Sequence, residues 1–285
     1  MEFYFIDNQR MKMSDVLAST FPTSKTARIA VAFAKHSGIR LIEEPLTKCL
    51  DNGGKVEFVV GLDFHTTDAT VLQTFRAFSK SYSNFSFYCF SDPSDNTVTY
   101  HPKLYLFENK GLVKSIVGSS NLTKGGLSEN IEVNVLLEME SDSEKAENIF
   151  DIYAGIKYQP SRFAPDDEYI QAYEAILEEA EQPKYRRQDT KNAIERLREL
   201  EKSLPKPYTR TSALQGWQKL VFLKLPDDEF QTGDLYKHAS EFTQTYPENK
   251  NVEPKIRQVL QQLRDLGVIL HLGEGRWKKN DFLLK

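Results

Sequence analysis

The residues best placed to do chemistry lie in His101-Pro102-Lys103-Leu104-Tyr105-Leu106-Phe107, an apolar strand-like run that opens on an imidazole and an ammonium two positions apart. Side chains at i and i+2 of a strand share a face, so His101 and Lys103 project into one pocket. A second piece follows closely, Gly118-Ser119-Ser120-Asn121, after a short apolar strand ending at Val117. Its small residues let the backbone and the short polar side chains of Ser119 and Asn121 approach a bound anion. Glu132 then opens another apolar strand, positioned to hydrogen-bond an imidazole on its neighbour. A lone His-x-Lys is common at sheet edges; the ordered set of three pieces carries the weight.

That order, His-x-Lys, then Gly-Ser-x-Asn, then Glu eleven residues beyond the Asn, resembles the phospholipase D superfamily signature over roughly residues 25–140. Within the superfamily it is most similar to single-motif nucleases and to metal-independent restriction endonucleases of the BfiI type. The resemblance implies roles residue by residue. His101 is the expected nucleophile, forming a phosphohistidine. Lys103 holds the non-bridging oxygens, with hydrogen bonds from Ser119 and Asn121. Glu132 accepts from the second imidazole nitrogen and fixes the tautomer. The leaving oxygen needs a general acid, which in this superfamily is a histidine from a second motif.

The chain has one such motif. The other histidines, His36, His65, His238 and His271, stand outside any His-x-Lys, and His36 and His65 read as exposed loop residues that follow strands. A complete site therefore implies a homodimer, each copy giving one His101 and one Lys103. The longer family motif has Asp five residues after the Lys; here Glu108 stands there, at a position of structural rather than chemical weight. No metal and no other cofactor is implied.

The elements that must position these residues follow a β-α-β rhythm over residues 1–160. Strands are expected at 27–33, 55–60, 85–90, 101–107, 115–117 and 132–137, and helices at 39–50 and 70–80. The fold class is α/β, a phospholipase D-like mixed sheet flanked by helices. After Tyr158-Gln159-Pro160 come two Glu-, Ala-, Leu- and Arg-rich helical stretches, 166–181 and 189–203, separated by Pro183. The expected division is a nuclease-like domain at 1–160, a helical connector at 161–210 and a third domain at 211–285.

That last domain reads as helix, turn, helix and β-hairpin, the order of a winged helix. Thr232 is the expected N-cap of the first helix, and Pro254 stands near the start of a second helix reaching about Leu266. Ile256, Val259 or Leu260, Leu263 and Leu266 form its apolar face. Lys255, Arg257, Gln258, Gln261, Gln262 and Arg264 lie opposite, with the donors and acceptors that match base edges. The wing Arg276-Trp277-Lys278-Lys279 offers cations to phosphates and an indole for stacking. The helix and the Gly-x-Gly-Arg after it resemble the C-terminal winged helix of Dam-replacing proteins and of the methyladenine-dependent endonuclease DpnI. The resemblance implies DNA as a partner and no particular target sequence.

Charge agrees. Lys184 to Lys285 hold 20 Lys and Arg against 14 Asp and Glu, a net of +6, whereas the rest of the chain nets −10. A basic tail on an acidic body suits a polyanion. With 40% hydrophobic and 27% charged residues, no apolar run of membrane-spanning length and no signal-like start, a cytoplasmic protein without a membrane partner is expected. Cys49 and Cys89 read as two buried thiols. The expected function is a metal-independent DNA endonuclease of a restriction or phage-defence system. The alternatives are a phospholipase or phosphatidyl transferase, and a catalytically inert DNA-binding regulator.

Overall fold

The structure, a computed structural model, describes residues 2–63, 66–91, 99–180, 187–205 and 211–280, with the side chains of 179–193 left aside. His65 and Pro183 lie outside these residues. By packing, the chain divides into two units: Met1–Ala146 with Ser161–Lys206, and Glu147–Pro160 with Pro207–Lys285.

In the first unit, in chain order, run β1 (Glu2–Ile6), α1 (Met13–Thr20), β2 (Thr26–Val31), α2 (His36–Asp51), β3 (Lys55–Gly61), α3 (Ala69–Ser81), β4 (Phe85–Phe90), β5 (Lys103–Asn109), β6 (Leu112–Gly118) and β7 (Asn134–Glu140). The helix α4 (Glu144–Lys157) follows, counted from Glu147 with the second unit, and β8 (Arg162–Phe163), α5 (Asp167–Ala180) and α6 (Arg187–Ser203) belong again to the first. The described strands form one mixed sheet in the order β1-β7-β6-β5-β2-β3-β4-β8. β2 pairs in parallel with β3 and antiparallel with β5, so the sheet changes character at β2. Buried apolar runs explain the centre: Ile29-Ala30-Val31 and Phe58-Val59-Val60 have both faces covered. One face packs under α2 and α3 around Phe58, Phe75, Phe85 and Phe87, with Phe58 and Phe75 stacked at 4.5 Å. β5 and β6 are joined by a tight turn at Lys110-Gly111, both at positive φ as the twist of a two-residue hairpin requires. Cys49 and Cys89 are free and buried.

The second unit adds to residues 147–160 the elements α7 (Gly216–Phe222), β9 (Phe230–Gln231), α8 (Thr232–Tyr236), α9 (Ala239–Thr245), α10 (Val252–Asp265), β10 (Ile269–His271) and β11 (Arg276–Lys279). Its core is Leu235, Phe242, Ile256, Val259, Leu260, Leu263 and Trp277. Gln231 rather than Thr232 caps α8, in a reciprocal pair with Asp234. Among the described residues no helix is long and apolar enough to cross a membrane.

Candidate active site and nucleic-acid interface

Lys103 is the first residue of β5 and pairs with Val31 at the end of β2. The Ala32 amide donates to the Pro102 carbonyl at 2.8 Å, carrying the ladder one step towards His101. His101 therefore stands just outside the sheet edge, exposed, with Lys103 buried beneath it. The Lys103 Nζ lies 2.8 Å from Nδ1, 2.9 Å from Nε2 and 3.2 Å from the carbonyl oxygen of His101. Burial pulls the Lys103 pKa below its ordinary value, and the Glu132 carboxylate opposes that shift.

The segment after β6 reaches the same edge. Gly118 permits this: a Cβ there would stand 2.4 Å from both the Asn134 Oδ1 and the Val133 carbonyl. Ser119 Oγ donates to Glu132 Oε2 and accepts the Val133 amide at 3.0 Å. Ser120 and Asn134 are buried and bonded twice, Ser120 N–H to Asn134 Oδ1 at 3.1 Å and Asn134 Nδ2 to Ser120 Oγ at 2.8 Å. Tyr105 completes this floor by donating its hydroxyl to the Ser120 carbonyl at 3.0 Å. Its pKa is raised, by burial first and by Glu132 second.

His101 with Lys103 and Ser119 with Glu132 thus form two bonded pairs, the Glu132 charge acting on the Lys103 ammonium, and Asn121 accepts the Phe33 amide at 3.4 Å. One expected contact is different. Glu132 takes its hydrogen bonds from Ser119 and, at 3.4 Å, from Asn130, not from His101. The reason is local: Glu132 sits in the loop two residues before β7, beside the Ser119 turn, rather than opening the strand. Ser120, Asn134 and Tyr105 escaped the sequence reading; the signal was a polar residue, Asn134, at the mouth of an otherwise apolar strand. Glu108 lies at the far end of β5 and accepts Thr26 Oγ1 at 3.2 Å, away from this edge.

His36 is not an exposed loop residue. It begins α2, half-buried, with an Nδ1 that is buried and without a hydrogen-bond partner. α2 comes close because Gly38 lacks a side chain: a Cβ would stand 2.3 Å from the Leu122 carbonyl oxygen. Asp68 anchors this helix start, accepting the His36 amide at 3.0 Å and the Lys35 ammonium at 2.7 Å. Among the described residues, no group of three or more His, Cys, Asp or Glu side chains could hold a metal ion.

In the second unit, α10 and the wing separate the expected DNA contacts into two sets. Arg257, Gln258, Arg276 and Lys278 are exposed. Lys255, Gln261 and Gln262 are half-buried and paired, Lys255 with Gln258 at 2.7 Å, Gln262 with Gln218 at 3.2 Å and Gln261 with Glu147 at 3.4 Å. Arg264 and Trp277 are internal, 3% and 2% exposed, and leave the outward surface. Arg264 lies one turn after Leu260 and two after Ile256, on the flank of the buried stripe. Residues 147–160 cover that flank, and Asp151 accepts the Arg264 guanidinium at 3.0 Å and bonds His271 Nδ1 with its other oxygen. Trp277 alternates inward between Arg276 and Lys278, as a strand period dictates, and donates its indole N–H to Thr232 at 2.8 Å.

Residues 17–153 match the family model described as "Cardiolipin synthase, PLD-like domain", and residues 214–279 that of the "Dam-replacing HTH domain". No curated protein matches the chain. Similar solved structures include NucT from Helicobacter pylori, 17% identical with a TM-score of 0.41, covering 54% of this chain and 94% of that one. The phospholipase D family member Nuc from Salmonella typhimurium is 17% identical with a TM-score of 0.41, over 54% and 92%. Phosphatidylserine synthase from Haemophilus influenzae is 13% identical with a TM-score of 0.47, over 70% and 47%. The large mixed sheet flanked by helices is the expected fold class, and the chain joins a phospholipase D-like domain to a Dam-replacing helix-turn-helix domain.

Proposed function

We propose that this protein is a DNA endonuclease that cuts phosphodiester bonds through His101 without a metal ion. The observation that carries this reading is the cluster at one sheet edge: an exposed imidazole, a buried ammonium touching it, and a Ser119–Glu132 pair beside them. An imidazole nitrogen of His101 attacks phosphorus and the P–O bond to the leaving oxygen breaks. The leaving oxygen takes a proton from the general acid. Water, giving that acid its proton back, then hydrolyses the phosphohistidine. Lys103 stabilises the charge on the non-bridging oxygens; its partial burial strengthens that interaction and keeps the ammonium from being satisfied by water. Asn121 and Ser119 supply further hydrogen bonds.

The general acid is His101 of a second copy, in a homodimer. Apolar side chains around the cluster support such a pairing: Ile131 is 84% and Val133 62% exposed on either side of Glu132, with Val117, Phe3 and Phe5 exposed on neighbouring strands. The exposed cations Arg257, Arg276 and Lys278 with Gln258 make the second unit the DNA reader, which favours DNA over lipid as the substrate. A restriction or phage-defence role suits such a pairing of reader and cutter.

Methylated and unmethylated plasmid DNA incubated in excess EDTA tests the reading. Cleavage is expected to persist in EDTA and to vanish in His101→Ala. Activity lost to EDTA, or retained by His101→Ala, overturns it. Ile131→Glu with Val133→Glu is expected to give monomers that no longer cut, as read by sedimentation and cleavage together.

A further inference from the structure

The turn before α10, Tyr246-Pro247-Glu248-Asn249-Lys250-Asn251, is polar by composition yet is built on two aromatic rings. Trp217 of α7 stacks on Tyr246, with centroids 4.9 Å apart and planes within 18°. Phe242 meets the indole edge-on from the core side, at 5.8 Å. Phe242 is fully buried, whereas Trp217 and Tyr246 are only half-buried. The rings therefore form the outer end of an aromatic column, and with Glu248, Asn249, Lys250 and Asn251 they line an open cleft of about 750 Å³.

The polar groups of this cleft are largely uncommitted. Asn249 Oδ1 accepts the Asn251 amide at 2.9 Å, which shapes the turn and leaves the Asn249 Nδ2 without a partner among the described residues. Asn251 stands at the N-cap of α10, a position where its side chain ordinarily accepts a backbone amide, yet it makes no capping bond. Lys250 has no ion pair among the described residues. An aromatic platform, two amides, the Glu248 carboxylate and an ammonium, set beside the start of the helix that presents Arg257 and Gln258, match one kind of ligand. A base inside a duplex shows only its edges in the grooves, whereas an unstacked base offers its face and its pairing edge together.

We propose that this cleft takes a single unstacked nucleobase of bound DNA. The base lies on the Trp217–Tyr246 platform, the Asn249 and Asn251 amides address its pairing edge, and Lys250 meets its phosphate. The proposal rests on the DNA-reading role of the second unit and adds a preference for distorted or unpaired sites, which that role alone does not require.

Full-length protein carrying His101→Ala, which leaves DNA uncut, is titrated with a paired duplex and with the same duplex bearing one unpaired base, while tryptophan emission is followed. The chain has two tryptophans, and Trp277 is in the core, so Trp217 is the reporting indole. The unpaired-base duplex is expected to quench emission and to bind about tenfold tighter. Trp217→Phe is expected to abolish the quench. Asn249→Asp, which keeps the Oδ1 that accepts the Asn251 amide and removes the Nδ2 donor, together with Lys250→Ala, is expected to bring the two affinities together without moving the melting temperature. Equal affinity of the intact protein for both duplexes, or a preference that survives the Asn249 and Lys250 changes, overturns the proposal while leaving the DNA reader standing. Failure to bind either duplex removes the DNA reader itself.

Discussion

Ser120 and Asn134 hold each other by two hydrogen bonds, amide to Oδ1 at 3.1 Å and Nδ2 to Oγ at 2.8 Å, and both residues are buried. This clasp joins the turn after β6 to the first residue of β7 and thereby fixes Ser119 on one side and Asn121 on the other. Asn134→Ala leaves the Ser120 amide and hydroxyl unpaired in the interior. The expected loss is about 2–3 kcal/mol of stability in denaturant titration, the range for unsatisfied buried polar groups. Cleavage is expected to fall further than the unfolded fraction explains.

Lys103 carries a pH prediction. Burial lowers its folded-state pKa below the unfolded value of 10.5, so the folded protein releases this proton first as pH rises. The unfolded chain binds more protons between the two values, and stability contributed by this group rises with pH there. The penalty of burying the ammonium is fully present below the folded pKa. Activity runs the opposite way, because only the ammonium stabilises the phosphoryl oxygens. The alkaline limb of the rate profile is expected below the usual lysine range, and Lys103→Arg, whatever its residual rate, is expected to move that limb upward.

The pair Arg264 and Asp151 is buried, with the guanidinium 4% and the carboxylate 16% exposed at the side chain. Removing Asp151 leaves Arg264 the partly exposed Asp265 carboxylate at 3.1 Å and takes the acceptor from His271. Asp151→Leu alone is expected to cost about 1.5–3 kcal/mol, the range for hydrogen bonds to charged groups, and the double change with Arg264→Met to recover part of it. Chemical denaturation of the three variants checks this. A double variant no more stable than Asp151→Leu would contradict it.

Trp277 and its neighbours separate packing from binding. Trp277→Ala is expected to cost about 3–5 kcal/mol by emptying the winged-helix core. Arg276→Ala and Lys278→Ala are expected to leave the melting curve in place, weaken DNA binding across sequences and lower the salt slope by about 1 each. Fluorescence anisotropy at several salt concentrations reads both quantities.

Much of this architecture was legible from residue order. Apolar runs located β2, β3 and β4, and α2 and α3, because each element keeps one period along its length. β1, α1 and α4 were not read, since exposed Phe3 and Phe5 and the mixed face of α4 carry no clean period. The His101–Lys103 pair was legible because spacing alone brings them together. The partner of Glu132 was not, because a two-residue difference in where β7 starts decides whether the carboxylate meets an imidazole or a hydroxyl. Arg264 misled for a related reason: the side of α10 on which it lies is covered by residues more than a hundred positions earlier, which no helical wheel contains.

The Lys110-Gly111 turn closes β5 and β6 at the edge opposite His101 and Ser119, with open space around it. The same two strands that deliver the chemistry at one end therefore present an inert handle at the other. A fluorophore carried on Lys110→Cys, an exposed position, is expected to leave cleavage intact, giving the molecule a site for labelling or tethering that is insulated from its reaction by the length of a strand.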